Sequence, residues 1–384
     1  MTLSRRAVAA GLLGFAAFGL GLLQRRRNLA RYRARRARRA AAGRHGPSSW
    51  ASTLARRLDS GELEALFLQE ERLWRDMGDE LAKSPSASRL ERHALLTLGD
   101  DDGARGGPPA LRSITFGGGG FRTISYLGQI MYLERHGLID ERTRFFGCSL
   151  GAYFAVGYAL SGREKRPGSL RERFVAATLD FVADVHFDWL GMWGLCGVVF
   201  EDILRANLPD DAAARARGVA HVGVTRFGLP WPLGRGLARA ALVSDFRDND
   251  DLVSALIASQ FIPGWTHGPW CAPVLFRGAP ACDGGLLDNQ PSPPEHGYAR
   301  YSFVRFDEHL RPPALDEPRG HYMCREEHAP LAQVFRPPPC AFGRVEERLV
   351  DELRRGYRAA QAAVKASRLR GGAVALLPMS VRAA

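Results

Sequence analysis

Twice within residues 111–160 an apolar strand pattern breaks on a cluster of glycines and resumes as a helix. Leu111–Phe116 alternates like a strand and runs into Gly117–Gly120. Ile124, Leu127, Ile130, Met131 and Leu133 then keep helical spacing up to a cap-like His136-Gly137. Phe145-Phe146 leads into Gly147-Cys148-Ser149-Leu150-Gly151, and Ala152–Leu160 is helix-like again. Two βα units in succession predict a mostly parallel sheet with right-handed crossovers. Further along, His221–Thr225, Ala240–Ser244 and Tyr301–Arg305 have strand patterns, and 250–259 and 343–367 have helical ones. No internal repeat is present.

Three elements carry chemistry. Gly147–Gly151 fits G-x-S-x-G, a motif that short sequences match by chance. Its position between a strand and a helix makes it a nucleophile elbow: Gly147 and Gly151 permit a tight, strained turn, and Ser149 is presented at a helix N-terminus that favours negative charge. Gly118, Gly119 and Gly120 end the preceding strand. Neighbouring strand ends of a parallel sheet lie side by side, so this loop can bring backbone N–H donors to an oxyanion beside Ser149. A phosphate-cradling loop is the rival, but G-x-G-x-x-G fails at Thr123 and no Walker lysine follows. Asp283, followed by Gly284 and Gly285, is in isolation an ordinary turn former. A serine nucleophile needs a base, however, and the apolar Ala281, Cys282, Leu286 and Leu287 around it would raise its basicity by desolvation.

Charge separates the chain into a tail and a body. The first 58 residues hold fourteen arginines and no acidic residue; since the whole chain is +12, residues 59–384 are net −2. Nucleic-acid binding by the body is therefore not supported. Ala7–Leu23 is uncharged and apolar, and nine arginines follow it by residue 39. Seventeen helical residues span about 25 Å, slightly less than a bilayer core of about 30 Å. A membrane anchor with the body on the cytoplasmic side is expected, with an organellar presequence or an interfacial helix as alternatives. The sequence divides into the basic tail with its anchor (1–58), a helical segment and linker (59–110), a catalytic domain (111–307) and a helical extension (308–384). Six scattered cysteines, none in a CxxC pair, fit small buried hydrophobes better than disulfides or a metal site. Trp189–Phe200 is densely apolar, by default a core helix and otherwise a surface for acyl chains or membrane.

Together the three elements resemble the patatin-like phospholipase family, and much of 111–307 is similar to its animal branch. The resemblance rests on Gly118–Gly128 (GGGFRTISYLG), Ala258–Pro263 (ASQFIP) and Asp283–Pro291 (DGGLLDNQP). It implies a three-layer αβα domain and a Ser149–Asp283 dyad without histidine. It also implies an oxyanion hole from Gly118, Gly119, Gly120 and Arg122, no cofactor or metal, and a lipid ester as substrate at a membrane or lipid-droplet surface. Gly117, Gly147, Gly151, Gly284 and Gly285 are the remaining motif glycines, and Thr123 stands where the family's loop has another. An α/β-hydrolase with a Ser–Asp–His triad, or a catalytically silent membrane-tethered lipid binder, remain the alternatives.

Overall fold

A computed structural model of the chain describes residues 26–34, 37, 49–69, 72, 110–161, 168–187, 194–228, 238–263, 265–267, 274–296, 314–316, 321–324 and 345–369. In chain order its elements are α1 (Ser49–Asp59), β1 (Ser113–Phe116), α2 (Ser125–Arg135), β2 (Arg144–Cys148), α3 (Leu150–Ser161), α4 (Leu170–Phe187), α5 (Cys196–Asn207), α6 (Ala212–Ala216), β3 (Ala220–Phe227), β4 (Ala238–Val243), α7 (Asn249–Gln260), β5 (Val274–Phe276), β6 (Ala279–Asp283), β7 (Ala314–Asp316), β8 (His321–Cys324) and α8 (Val345–Leu369). The end of α2 at His136-Gly137 follows from backbone chemistry. Gly137 takes φ +65°, and the N–H groups of Gly137 and Leu138 bond to Glu134 and Leu133 carbonyls, which closes the helix with a Schellman motif.

The sheet is mixed rather than mostly parallel. Only β8, β1, β2 and β3 run parallel; β4, β6, β5 and β7 join antiparallel. The physical reason at one edge is a two-residue hairpin turn, Arg277-Gly278, whose φ values of +50° and +74° match the twist of antiparallel partners. Residues of helices α1–α8 share one core with the sheet face carrying Ile114, Phe116, Phe145, Val222 and Val224. Among the described residues the opposite face is covered not by a helical layer but by segment 289–296. There Thr115 donates to the Pro291 carbonyl and His296 meets His321 edge to face.

Two expected boundaries are corrected. The one at 58 cuts through α1, whose Ala51, Leu54, Ala55 and Leu58 lie in the core. A buried Arg171 ties α1 to the body through Asp59 at 2.6 Å and through both oxygens of Glu134. The boundary at 307 cuts through the sheet, because β8 pairs with β1. Beyond it, α8 packs on α2 so closely that a Cβ at Gly128 or Gly356 would overlap the other helix's backbone. The run 7–23, the strand expected at 301–305 and residues 188–193 lie outside the described residues, among which no helix is long and apolar enough to cross a membrane. Of the apolar stretch, Cys196, Val199 and Phe200 are buried on α5, as core.

Candidate active site

The position of the site follows from how three strands use β3. Residues 222–227 of β3 pair with β4, which occupies one edge. On the other edge β2 pairs with residues 220–223 and β6 with 224–226. Strands β2 and β6 therefore approach one another head-on along the same edge: Cys148 lies opposite Gly223, and Asp283 opposite the adjacent Val224. Each chain must turn away sharply where they meet. Ser149 does so with φ +54°, a left-handed value rare for a residue with a side chain. The other chain turns at Gly284, where a Cβ would overlap the Gly223 carbonyl and stand 2.9 Å from Cys148 Cβ. Both predicted catalytic residues thus arrive at one junction, Ser149 directly ahead of the N-terminus of α3.

The glycines at 147 and 151 are a packing requirement. A Cβ at Gly147 would overlap the backbone of Gly151 and Ala152, and one at Gly151 the carbonyls of Phe116 and Gly117. The glycine loop does lie beside the serine: a Cβ on Gly118 would sit 3.1 Å from Ser149 Cβ. Not all its donors are available. Gly117 N–H bonds to Cys324 and Gly118 N–H to the Asn289 carbonyl at 3.2 Å, so the expected role of Gly118 as a donor is not open to it. The loop's free N–H groups among the described residues are those of Gly119 and Gly120, the latter at φ +55°. Thr123 is fully buried and donates its hydroxyl to the Gly120 carbonyl at 2.8 Å, holding the turn into α2. Arg122 lies in that turn, and its side chain is outside the described set.

Asp283 is 3% exposed. Burial raises its pKa to about 7, against the opposing pull of the Ser149 hydroxyl and of the Gly285 N–H, which donates to Oδ1 at 2.7 Å. The second oxygen, Oδ2, has no hydrogen-bond partner of good geometry, although the serine hydroxyl is near enough to lower the pKa. A carboxylate poised near neutrality with one unsatisfied oxygen is suited to take a proton. Among the described residues no histidine hydrogen-bonds to Ser149 or Asp283. His221 stacks on Phe146, with burial lowering its pKa to about 4; His321 bonds to Ser113 at 2.7 Å; His267 packs against Gly197 and Phe261. Cys148, next to Ser149, is buried and its thiol pushed well up by desolvation, so it stays protonated.

Two contributors escape sequence reasoning. Ser259, at the end of α7, is fully buried; its hydroxyl and carbonyl both accept the Ser149 N–H, at 2.9 and 3.1 Å, and the hydroxyl donates onward to Gly223. Two residues later the Phe261 carbonyl accepts the Asp283 N–H at 2.9 Å. One short segment therefore holds the backbones of both Ser149 and Asp283. Asn289 is the other. The only signal for either was membership in the ASQFIP and DGGLLDNQP stretches.

Residues 114–294 match the family model described as Patatin-like phospholipase. The chain is 31% identical over 185 residues to the mouse 1-acylglycerol-3-phosphate O-acyltransferase Pnpla3, covering 47% of this chain and 40% of that one. It is 28% identical over 199 residues to the mouse omega-hydroxyceramide transacylase, covering 50% and 30%. To the rat patatin-like phospholipase domain-containing protein 2 it is 26% identical over 182 residues, covering 47% and 35%. The match thus spans well under half the length of these relatives.

Proposed function

We propose, on the premise that residues 114–294 are a patatin-like phospholipase domain of the animal type, that the protein is a serine lipid acyl hydrolase acting through Ser149 and Asp283. The observation that carries this reading is the head-on meeting of β2 and β6 on β3, which brings a strained serine to a buried aspartate with a pKa of about 7.

Asp283 takes the hydroxyl proton of Ser149 as Oγ attacks the ester carbonyl. The N–H groups of Gly119 and Gly120, aided by the N-terminus of α3, stabilise the oxyanion. Collapse expels the alcohol, which takes the proton back from Asp283 and leaves an acyl-serine. Water, deprotonated by the same carboxylate, then resolves the intermediate. A lipid hydroxyl in place of water would give acyl transfer, the activity that the names of two relatives, an acyltransferase and a transacylase, carry. The substrate is a phospholipid or neutral glycerolipid ester.

A fluorophosphonate probe tests the core of this proposal. Covalent labelling of Ser149, lost on Ser149→Ala, is expected; an unlabelled, folded protein would leave the catalytically silent lipid binder as the better account. Product profiling from mixed lipid vesicles then separates hydrolysis from transfer.

Ala7–Leu23 and the arginines behind it are proposed to hold the enzyme at a membrane or lipid-droplet surface. The test is removal of residues 1–25 rather than 1–58. Asn28 is buried, Leu29 packs on the core, and Tyr32 donates to Asp202 at 2.9 Å, so a longer deletion would also damage the body. The shortened protein is expected in the soluble fraction with short-chain esterase activity retained. Unchanged membrane pelleting would move the anchoring role elsewhere.

A further inference from the structure

Asn289 lies six residues beyond the base, in none of the three catalytic motifs, yet it touches the ends of two neighbouring strands. Its side-chain Nδ2 donates to the Gly118 carbonyl at 3.0 Å, while its own carbonyl accepts the Gly118 N–H at 3.2 Å. Gly118 is thus held at both polar groups by one residue. The same carbonyl accepts the Cys148 thiol at 3.2 Å, from the residue preceding the nucleophile, and Oδ1 stands 3.6 Å from that sulfur. A Cβ on Gly118 would come within 2.5 Å of Oδ1, so the loop fits against this amide with no space left for a side chain. Asn289 is 4% exposed, and the following backbone is fixed by Thr115, which donates to the Pro291 carbonyl at 2.7 Å.

The consequence concerns the donors that Gly118 does not supply. Gly119 and Gly120 follow Gly118 directly, and the aim of their N–H groups depends on where Gly118 is fixed relative to Ser149. An oxyanion hole works through donors placed in advance at the position the charge will occupy, and sub-ångström misplacement costs turnover. We infer that Asn289 is a positioning residue for turnover: by clamping Gly118 at its N–H and its carbonyl, it sets the glycine loop against the nucleophile and joins it to the chain that carries the base. It does not touch the reacting atoms. This role rests on the acyl-hydrolase reading above, in which Ser149, Asp283 and the loop act together.

A double-mutant cycle on the full chain tests it, with Asn289→Ala, Gly118→Ala and the pair assayed on a soluble p-nitrophenyl ester. Asn289→Ala removes the Nδ2 donor to Gly118, and Gly118→Ala sets a Cβ within 2.5 Å of Oδ1 and so displaces the same amide; each single variant should therefore lose about 10²-fold in kcat, as when an oxyanion donor is misplaced. KM should stay within about twofold. The double variant should be no worse than the poorer single, since a shared contact is lost only once. The pH at which activity half-appears should not move, because the base is untouched. Losses that multiply to about 10⁴-fold, a loss confined to KM, or wild-type turnover in Asn289→Ala would each overturn the inference. Should Asn289→Ala melt far below the wild type, Asn289→Ser preserves a small polar side chain that cannot span to Gly118, and the same criteria apply to it. A wild-type chain that neither hydrolyses the ester nor labels at Ser149 instead fails the functional reading itself, before Asn289 is changed.

Discussion

The two halves of the site reach β3 by different routes. Ser149 and its glycine loop come from consecutive βα units, β1–α2–β2–α3, in which each element is followed by its spatial neighbour. Asp283 comes from β6, an antiparallel strand of a hairpin, and stands opposite Val224 only because β6 takes up β3's edge where β2 leaves it. The half around Ser149 is shaped first by backbone fit, through glycines whose Cβ atoms would overlap the chain and a helix beginning at Leu150, with Ser259 and Asn289 adding contacts from far along the chain. The base's half is held by long-range contacts, through the Phe261 carbonyl at one end of α7 and an ion network at the other. The proposed chemistry needs both residues, but the architecture that secures them differs.

The largest expected effects come from removing either partner. Ser149→Ala and Asp283→Asn should each lower kcat by roughly 10⁴-fold or more with the fold intact. Replacing His267, or any other histidine, should not approach that loss; one that did would replace the dyad with a triad. Because Asp283 must be unprotonated to act in the proposed mechanism, kcat/KM should rise with pH and level off above about 7.

The same carboxylate marks where the base's half stores cost. Its pKa rises from 3.8 to about 7 on folding, so the folded state retains a proton that the unfolded chain has lost. Stability therefore falls as pH rises from about 4 to 7. A rise of that size corresponds to an upper bound of about 4 kcal/mol. An asparagine side chain in its place cannot ionise and can still accept the Gly285 N–H. Asp283→Asn should accordingly be more stable than wild type at pH 8, with the gap closing near pH 4, as read by urea unfolding at several pH values. Equal stability at pH 8 would mean that the carboxylate is not desolvated.

Arg277, at the hairpin turn, supplies the opposite dependence. It reaches Asp251 at 2.7 and 3.0 Å and Asp245 at 3.0 Å, and Asp251 is nearly buried beside the N-terminus of α7. Hydrogen bonds from Arg277 hold the Asp251 carboxyl far below the usual carboxylate range. Its contribution is present above the ordinary carboxylate pKa and lost only as pH falls well below it. Arg277→Asn keeps a residue that tolerates the turn's positive φ, so the change isolates the ion pairs. A destabilisation of roughly 1–3 kcal/mol at pH 7 is expected, shrinking in strong acid. A variant as stable as wild type would show that the hairpin needs no anchor at α7.

This asymmetry also decides what could be read from the sequence. Strand, glycine and helix signals around Ser149 are local, and α2, α3 and α7 lie within a few residues of where periodicity puts them. Asp283 was legible as an aspartate before two glycines, but not its head-on approach to β2, because register across 135 residues leaves no local pattern. The expectation of a mostly parallel sheet failed for the same reason: β5 and β7 are three residues long and show too little alternation to be seen. Helix α1 reads as part of a basic tail because arginines dominate its surroundings, although its Leu54 and Leu58 face the core. Asn289 and Ser259 are polar residues whose value lies in backbone groups far away in the chain.

The smallest effect worth measuring lies where the two halves share one support. Ser259→Ala removes the hydroxyl that accepts the Ser149 N–H at 2.9 Å and donates to Gly223 at 2.7 Å. It leaves the Ser259 carbonyl, which accepts the same N–H at 3.1 Å, and the Phe261 carbonyl under Asp283. The elbow is therefore loosened without being released, and the Gly223 carbonyl, in the middle of the junction, loses a buried donor. That loss should cost roughly 1 kcal/mol of stability. Turnover should fall about tenfold, since a serine held in a strained backbone conformation drifts from its attack position once one of two restraints is gone. Fluorophosphonate labelling should slow by a similar factor, while the pH midpoint stays near that of the wild type because the base keeps its own support. A shifted midpoint would mean that the segment 259–261 couples the two backbones more tightly than separate hydrogen bonds require. Unchanged turnover would mean that the glycines and the Ser259 carbonyl hold Ser149 in place without the hydroxyl.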